Sequence, residues 1–300
     1  MLCDWGSSRL RAFLEVRGDI VDRCDGPGIG ALQDVVPIDA LRAAVAPWSA
    51  PGTRHPIILC GMVGSRNGLA EVPYVAAPVG VDVWAAQSLA RCFDELDLRI
   101  AAGVRAVNFA GVPDAMRGEE TQIFGAVDRN PRLAEGWHMI LLPGTHSKWV
   151  EVQNGAIVRI QSFVTGELFA ILRDHSSLLR AGAGDVQGHA GSGFLAGLHR
   201  AAAGDIAEAL FETRTAQLLL DRSQEWARGF LSGLLIGNEV KSVLTQIPPD
   251  AAVTVIGDVA LTALYHQALA AHDVDSVELD GEQSALAGLR LLAARTSQVN

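Results

Sequence analysis

Several features that define large classes of proteins are missing from this sequence of 300 residues. Although 49% of the residues are apolar, no uninterrupted apolar stretch reaches the ~18 to 20 residues that a membrane span needs. Asp4, Arg9 and Arg11 lie where a signal peptide would have its apolar centre. These absences predict a cytoplasmic protein without a membrane partner.

Clustered cysteines and excess positive charge are also missing. The four cysteines have no C-x-x-C spacing, and no group of Cys or His has the spacing of a zinc site. The net charge of −10 argues against nucleic acid as a partner, because phosphate backbones favour a positive surface. Since each cysteine lies in or beside an apolar segment, we expect reduced and mostly buried thiols at Cys3, Cys24, Cys60 and Cys92.

Lysine is the scarcest charged residue. Of the 24 basic residues, only Lys148 and Lys241 are lysine, and the others are arginine. A lysine kept in so arginine-rich a chain indicates a need for a compact ammonium group. Base composition and chance explain Lys241 equally well, whereas Lys148 lies in a candidate site described below.

The hydrophobic pattern predicts the same succession of elements twice. Each half has a strand, a polar turn, a strand, a hairpin turn and a third strand, followed by helices. We therefore expect two domains, at residues 1–129 and 130–300. After a short first strand, the predicted strands are 10–16, 20–24, 56–60, 99–109, 139–142, 148–152, 156–163, 252–256 and 274–279. The predicted helices are about 38–46, 81–93, 119–127, 168–179, 193–203, 225–244, a segment after 258, and 282–295.

The first candidate motif is Asp4-Trp5-Gly6-Ser7-Ser8. A carboxylate that ends a strand, followed by glycine and two hydroxyl residues, suits a nucleotide phosphate site. Backbone N–H groups of such a turn converge on phosphate oxygens, and the carboxylate can hold Mg²⁺ directly or through water. Taken alone, the motif is more often an ordinary β-turn.

Two other nucleotide motifs are not supported. No G-x-x-x-x-G-K-[ST] sequence of a P-loop is present. The glycines of segment 26–30 have the wrong spacing for a dinucleotide fingerprint, and the segment does not lead directly into a helix. We interpret it as a loop.

A second turn, Pro143-Gly144-Thr145-His146-Ser147-Lys148, occupies the matching place in the second half. Two such turns facing each other across a cleft can hold a triphosphate from both sides, and phosphoryl transfer depends mainly on such positioning. Lys148 then contacts phosphate or an anionic substrate. The alternative is a solvated lysine on a strand.

Two further segments carry candidate chemistry. Glu119 and Glu120 start a predicted helix, where carboxylates favour the helix dipole, but one of them can also take a proton from an attacking hydroxyl. We favour Glu119 as that base and leave Glu120 open. The loop after the buried strand 56–60 contains Arg66, whose guanidinium suits a substrate carboxylate.

Taken together, these motifs resemble the signature blocks of the 2-dehydro-3-deoxygalactonokinase family, and the resemblance spans nearly the whole sequence. The second and fourth blocks below are the most specific in combination. The blocks are Gly61-Met62-Val63-Gly64-Ser65-Arg66, Arg117-Gly118-Glu119-Glu120-Thr121-Gln122, Thr165-Gly166-Glu167-Leu168-Phe169, Leu142-Pro143-Gly144-Thr145-His146-Ser147-Lys148-Trp149, Gly233-Leu234-Leu235-Ile236-Gly237 and Ile256-Gly257-Asp258, together with the first turn.

The resemblance implies two similar α/β domains of the actin/hexokinase (ribonuclease H-like) fold. Each is expected to have a mixed five-stranded sheet flanked by helices, with a cleft between the domains. It also implies transfer of the γ-phosphate of ATP, with Mg²⁺, to the 6-hydroxyl of the sugar acid 2-dehydro-3-deoxy-D-galactonate, a step of galactonate breakdown. The sugar-acid pocket is expected in residues 1–129 and the adenosine site in residues 130–300.

The site residues follow from the same resemblance. Asp4 is expected to bind the metal, and Glu119 lies near the place of the catalytic aspartate of related kinases, with a one-residue gap that leaves Glu120 open. The phosphates are expected at Gly6, Ser7, Ser8, Gly144, Thr145 and Lys148. Adenosine is expected at Gly257 and Asp258. The sugar acid is expected at Ser65, Arg66, His146, Thr165 and Glu167.

The sequence departs from the wider superfamily in two places. Pro143 stands where many members carry an acidic residue, so metal binding rests on Asp4. Only three residues precede Asp4, so the first strand is unusually short, or the true start lies further upstream. A same-fold kinase for another sugar and a nucleotide-binding regulator are alternative functions. The sequence leaves open whether the protein forms a homodimer.

Overall fold

The computed structural model describes residues 1–49, 54–179 and 189–297. The chain divides into two compact units that interleave along the sequence. The first unit comprises Met1–Trp137, Val150–Gln161 and Asp280–Asn300, and the second comprises His138–Trp149 and Ser162–Leu279. The domain boundary near residue 130 stays a prediction.

Strands predominate up to residue 163, and helices predominate after it. The strands are β1 (Leu2–Trp5), β2 (Arg9–Val16), β3 (Asp19–Pro27), β4 (His55–Gly61), β5 (Val75–Ala76), β6 (Leu89–Phe93), β7 (Leu96–Ile100), β8 (Val104–Val107), β9 (Pro113–Met116), β10 (Trp137–Leu142), β11 (Ser147–Gln153), β12 (Ala156–Phe163), β13 (Val253–Gly257) and β14 (Ser276–Asp280). The helices are α1 (Pro37–Val45), α2 (Val81–Ala86), α3 (Glu119–Arg129), α4 (Thr165–His175), α5 (Ala190–Ala203), α6 (Ile206–Ala209), α7 (Glu212–Leu219), α8 (Gln224–Leu244), α9 (Val259–Ala270) and α10 (Gly281–Ser297).

Two mixed sheets carry the segments that matter for function. The first has the order β3-β2-β1-β4-β7-β6, and the second has the order β12-β11-β10-β13-β14. In the first sheet β1 pairs antiparallel with β2 and parallel with β4. In the second, β10 pairs parallel with β13. The predicted five strands therefore occur in the second sheet, whereas β6 adds a sixth strand to the first.

The central strands form as predicted because they are buried. Residues 57–61 of β4 are all buried, which fits the continuous apolar run of a strand between two parallel neighbours, β1 and β7. The hairpin between β11 and β12 turns at Asn154 and Gly155, which both have positive φ (50° and 73°). An Asn-Gly pair is the favoured sequence for such a turn.

The pattern at residues 81–93 was misleading, and the predicted helix is wrong beyond Ala86. Residues 89–93 form β6, an edge strand that pairs antiparallel with β7 from Phe93 opposite Leu96. The connection places Asp94 at a positive φ of 51°. Most of β6 is exposed or half-buried, so no alternation of apolar and polar residues marks it in the sequence.

Other elements also differ from the prediction. The single strand predicted at 99–109 is two strands, β7 and β8, and the short elements β9, α6 and α7 were not predicted. Cys3 and Cys60 are buried, whereas Cys24 is half-buried and Cys92, on the edge strand β6, is exposed. The expectation of mostly buried thiols is therefore wrong for Cys92. No helix among the described residues combines the length and apolar character that crossing a membrane requires.

Glycines allow very close helix packing in the first unit. A Cβ atom on Gly125 of α3 would lie 1.9 Å from the carbonyl oxygen of Ser284 in α10. A Cβ atom on Gly288 of α10 would lie 1.9 Å from the carbonyl oxygen of Thr121 in α3. The two backbones thus touch, and α10 fixes the position of α3.

Candidate functional site

The first turn joins β1 to β2 and is supported from behind by backbone. The Gly6 N–H donates to the Arg9 carbonyl (3.0 Å), and the Gly30 N–H donates to the Ser7 carbonyl (2.9 Å). A Cβ atom on Gly28 would lie 2.3 Å from the Ser7 carbonyl oxygen, so only glycine fits there. Segment 26–30 was interpreted as a loop. Its first two residues end β3, and Gly28 and Gly30 support the turn.

The side chains of the turn remain available to a ligand. Ser7 and Ser8 are exposed, and Gly6 is half-buried. Their predicted contact with phosphate requires this exposure. The tight backbone bracing keeps the turn in one conformation, which favours binding because less conformational freedom is lost.

Asp4 lies near the end of β1, between a cation and a thiol. In the sheet it is opposite Arg11 of β2 and Cys60 of β4. The Arg11 guanidinium donates to the Asp4 carboxylate, and the Cys60 thiol donates to its Oδ1 (3.7 Å). The carboxylate is 15% exposed, so it can be reached from solution.

The paired carboxylates lie at the start of α3. Gly118, with a φ of 113°, precedes the helix, and a Cβ atom there would lie 3.1 Å from Gly61 Cα. The Gly118 N–H donates to both oxygens of Glu120 (2.9 and 2.8 Å), while the Arg117 N–H donates to Glu119 Oε2 (3.1 Å). Glu120 is fully buried, and Glu119 is half-buried.

These acidic groups influence one another. Burial, together with the Glu119 charge, raises the pKa of Glu120 to about 8, although its hydrogen bonds and Arg117 oppose the shift. Burial also raises the pKa of the Cys60 thiol, and the charges of Asp4 and Glu120 raise it further. The structure thus brings Asp4 and Glu120 to one buried thiol, and Glu119 lies beside Glu120. We call Asp4, Gly6–Ser8, Cys60, Glu119 and Glu120 the first-turn site.

Arg117 is a residue of this region that sequence reasoning missed. It is 9% exposed; its Nη2 donates to the Val72 carbonyl (2.7 Å), and its guanidinium stacks on the Tyr74 ring at 4.2 Å from the centroid. It therefore ties the segment 72–74 to the start of α3. The one sequence signal for Arg117 is its place in the Arg117-Gly118-Glu119-Glu120 block, from which only the carboxylates were predicted as site residues.

The loop after β4 contains two residues that were predicted to bind the sugar acid, Ser65 and Arg66. It follows Gly61, whose φ is 91°, and a short turn at Met62–Gly64. The Ser65 hydroxyl is buried, whereas the Arg66 side chain is 85% exposed and lies 3.7 Å from the Glu71 carboxylate. Arg66 is thus open to an anion, and the roles of both residues stay predictions.

The second turn joins β10 to β11 and contacts the start of α4. A Cβ atom on Gly166 would lie 2.4 Å from the Gly144 carbonyl oxygen, and the Glu167 N–H donates to the Thr145 carbonyl (2.9 Å). A Cβ atom on Gly257 would lie 3.5 Å from Pro143 Cδ. The structure therefore brings together the turn, Thr165–Glu167 and Gly257, which we call the second-turn site.

Three predicted residues of the second unit have identifiable partners. His146 Nε2 and the Glu167 carboxylate form a hydrogen-bonded pair, and both side chains are about half exposed. Lys148 is only 7% exposed and donates to the Ser162 hydroxyl (2.8 Å), so the alternative of a solvated lysine is wrong. Asp258 caps α9 by accepting from the Ala260 N–H (3.0 Å), and its contact with adenosine stays a prediction.

A buried carboxylate, Glu239 of α8, lies beneath the second-turn site and was not predicted. It is 1% exposed and accepts from Trp149 Nε1 (2.8 Å), from the Tyr265 hydroxyl (2.9 Å) and from the Thr165 hydroxyl. Burial raises its pKa, and these donors oppose the shift. Nothing local in the sequence marks it, because its partners lie 26 to 90 positions away.

Comparisons with known proteins agree on one family. Residues 4–292 match the model of the family described as 2-keto-3-deoxy-galactonokinase. A 2-dehydro-3-deoxygalactonokinase of Escherichia coli strain K12 is 32% identical over 305 residues, which cover 97% of this chain and 96% of that protein. A crystal structure assigned to a 2-dehydro-3-deoxygalactonokinase protein from Sinorhizobium meliloti has a TM-score of 0.87 and 32% identity, and 98% of each chain is covered.

A more distant structure supports the fold alone. The activator of 2-hydroxyisocaproyl-CoA dehydratase from Clostridium difficile, with bound ADPNP, has a TM-score of 0.53 at 13% identity and covers 99% of this chain and 95% of its own. With the mixed sheets described above, these similarities confirm the predicted α/β class of the actin/hexokinase type.

Proposed function

The chain belongs to the 2-keto-3-deoxy-galactonokinase family, and we propose that its two turn sites carry out the reaction of that family. The protein uses ATP to phosphorylate 2-keto-3-deoxygalactonate, which is the same compound as 2-dehydro-3-deoxygalactonate. The observation that carries our assignment of residues is the meeting of Asp4 and Glu120 at Cys60 in the first unit, with Glu119 beside Glu120.

We assign the role of general base to Glu119. The oxygen of the 6-hydroxyl of the sugar acid forms a bond to the γ-phosphorus, while the bond from that phosphorus to the bridging oxygen of ADP breaks. The hydroxyl proton passes to the Glu119 carboxylate. Glu119 is the half-buried member of the pair and can reach a substrate, whereas Glu120 is fully buried against Gly118 and sets the start of α3.

Asp4 is the proposed contact for Mg²⁺. Among the residues that the structure describes, no group of three or more His, Cys, Asp or Glu forms a metal site. A single carboxylate still fits Mg²⁺, because this ion commonly takes most of its ligands from substrate phosphates and water. Bound there, the ion would neutralise charge on the transferred phosphoryl group. Arg11 and Cys60 orient the Asp4 carboxylate.

The remaining assignments follow the two turns. Backbone N–H groups of each turn are suited to phosphate oxygens, and the start of α4 adds the positive end of a helix beside the second turn. That both turns hold the same nucleotide stays a prediction of the sequence. Phosphate is assigned to Gly6, Ser7, Ser8, Gly144, Thr145 and Lys148, adenosine to Gly257 and Asp258, and the sugar acid to Ser65, Arg66, His146, Thr165 and Glu167.

The activity is tested by measuring ADP release from ATP with a panel of acceptors. We expect 2-keto-3-deoxygalactonate to be phosphorylated with a higher kcat/KM than its gluconate epimer and than neutral hexoses. Preference for a neutral hexose would contradict both the substrate and the anion roles of Arg66 and Lys148. ADP release that does not depend on any acceptor would favour a nucleotide-binding regulator.

The base is tested with Glu119→Gln and its neighbour Glu120→Gln as a matched control. We expect Glu119→Gln to lower kcat by about 10²- to 10⁴-fold, the usual scale for a positioned base. Glu120→Gln should reduce kcat less, because its amide oxygen still accepts from Gly118. If the two effects are exchanged, Glu120 is the base.

The metal contact is tested with Asp4→Asn. We expect turnover of Mg-ATP to be abolished while the circular dichroism spectrum remains that of the wild type. Retained turnover with an unchanged dependence on Mg²⁺ concentration would remove Asp4 from the metal site.

A further inference from the structure

The buried carboxylate of Glu239 controls one side chain of the second-turn site. Its three donors come from three different elements, namely Trp149 of β11, Thr165 at the start of α4 and Tyr265 of α9. The buried Ser147 hydroxyl, directly after the turn, lies beside the same carboxylate. Glu239 is 1% exposed, so it acts through these neighbours and not on a ligand.

Thr165 is the neighbour that lies within reach of a ligand. It is half-buried, and the next two residues contact the turn through Gly166 and the Glu167 N–H, which donates to the Thr145 carbonyl (2.9 Å). The Thr165 side chain is therefore held beside residues to which the proposed function assigns phosphate and sugar acid.

The hydrogen bond to Glu239 fixes what Thr165 can offer. A hydroxyl group has one proton and two lone pairs, and an ionised carboxylate only accepts. Because the Thr165 hydroxyl donates its proton to Glu239, the Thr165 oxygen can only accept a hydrogen bond from a ligand. Phosphate oxygens also mainly accept, so they are a poor match for this oxygen, whereas a sugar hydroxyl can donate to it.

We propose that Glu239 is a positioning residue that makes Thr165 a hydrogen-bond acceptor for a hydroxyl group of the sugar acid. The proposal rests on the proposed function and adds the chemical group that Thr165 recognises. The second-turn site then has two parts. Its backbone N–H groups bind phosphate, and the Thr165 oxygen accepts a hydrogen bond from the sugar acid.

The test uses Thr165→Val, Glu239→Gln and the double variant, with Thr165→Ser as the conservative variant. For each protein, kcat, the KM for ATP and the KM for 2-keto-3-deoxygalactonate are measured, and sugar-acid binding is measured by calorimetry. We expect Thr165→Val to raise the KM and the Kd for the sugar acid about tenfold, the effect of losing roughly one hydrogen bond. Glu239→Gln should raise both by less, because its amide keeps one of the two acceptor oxygens. The KM for ATP should change less than about twofold, and Thr165→Ser should behave as the wild type.

The double variant separates positioning from mere support of the fold. If Glu239 acts through Thr165, the double variant raises the sugar-acid KM no more than the larger single effect, since interacting residues are not additive. Trp149→Phe is the matched control, because it removes the donor to the other carboxylate oxygen, Oε1, whereas Thr165 donates to Oε2. It should lower Tm and leave both KM values unchanged.

Several results would overturn the proposal. These are a raised KM for ATP with an unchanged sugar-acid KM, additive effects in the double variant, or a Glu239→Gln protein in which only Tm falls. They differ from failure of the proposed function, in which the wild-type protein itself does not phosphorylate 2-keto-3-deoxygalactonate.

Discussion

The first-turn and second-turn sites look alike in sequence but place their buried carboxylates in opposite settings. In each, a hairpin turn is supported from behind by a glycine, and a helix contributes a buried glutamate. Glu120 accepts from the backbone N–H of Gly118 and has a second carboxylate beside it. Glu239 accepts from three side chains that belong to three elements.

This difference separates two uses of a buried acid. A desolvated carboxylate with a like charge beside it has a raised pKa, which suits a region where a proton changes hands. Burial raises the pKa of Glu239 as well, but the donors around it oppose that shift and make this carboxylate an anchor that orients its neighbours. The same arrangement of strand, turn and strand can thus support proton transfer in one unit and substrate orientation in the other.

The largest expected effect is on the free energy of unfolding when each buried carboxylate is removed. Glu239→Ala should lower the free energy of unfolding by about 3 kcal/mol or more, because three donors lose their acceptor and each buried unsatisfied group costs about 1–3 kcal/mol. Glu120→Ala should lower it by less, since only the Gly118 N–H and the Thr121 hydroxyl lose their acceptor. Urea denaturation at pH 7 measures both, and equal losses would remove the distinction.

The pH dependence of stability sharpens the comparison for Glu120. Its pKa is raised from 4.5 to about 8, so the folded state holds more protons than the unfolded state between these values. The free energy of unfolding should therefore decrease as the pH rises from 5 to 8. In Glu120→Gln this contribution is absent, and the decrease should be smaller by about 3 to 4 kcal/mol.

Chemical denaturation at pH 5 and pH 8 measures this difference. Glu119→Gln is the control. Glu120 stays buried in this variant, because Glu119 is only half-buried, so most of the decrease in the free energy of unfolding should remain. A Glu120→Gln protein with the same decrease as the wild type would show that Glu120 does not retain its proton in the folded state.

The smallest expected effect concerns the glycines that support the turns. Gly28→Ala and Gly166→Ala would place Cβ atoms 2.3 and 2.4 Å from the carbonyl oxygens of Ser7 and Gly144. Each should destabilise the protein by about 1–3 kcal/mol through overpacking and lower kcat/KM. Gly80→Ala is the control, since no atom lies within 4 Å of its Cβ position. If one turn tolerates the change, the two supports are not equivalent.

Much of the fold could be predicted because its signals are local. The apolar run of β4 and the Asn154-Gly155 turn are each determined by neighbouring residues. The prediction went wrong for β6, where edge exposure hides the alternation and Ala and Leu imitate a helix. Long-range pairing with β7 decides that segment.

The candidate site divides in the same way. Asp4 and Glu119 could be proposed from short motifs, since each lies beside the turn or helix start that positions it. Arg117 and Glu239 could not, because their importance depends on burial and on partners distant in sequence. A single sequence holds no direct record of such contacts.

The glycine contact between α3 and α10 has a consequence for the order in which the protein forms during synthesis. Domains generally fold as units while the chain emerges from the ribosome, N-terminal part first. Here α3, which carries the paired carboxylates, packs on a helix translated after the whole second unit. About 150 residues are translated between α3 and α10. At about 5–20 residues per second, α3 therefore lacks its partner helix for a time of order ten seconds. The early-made carboxylates thus gain their supporting helix last.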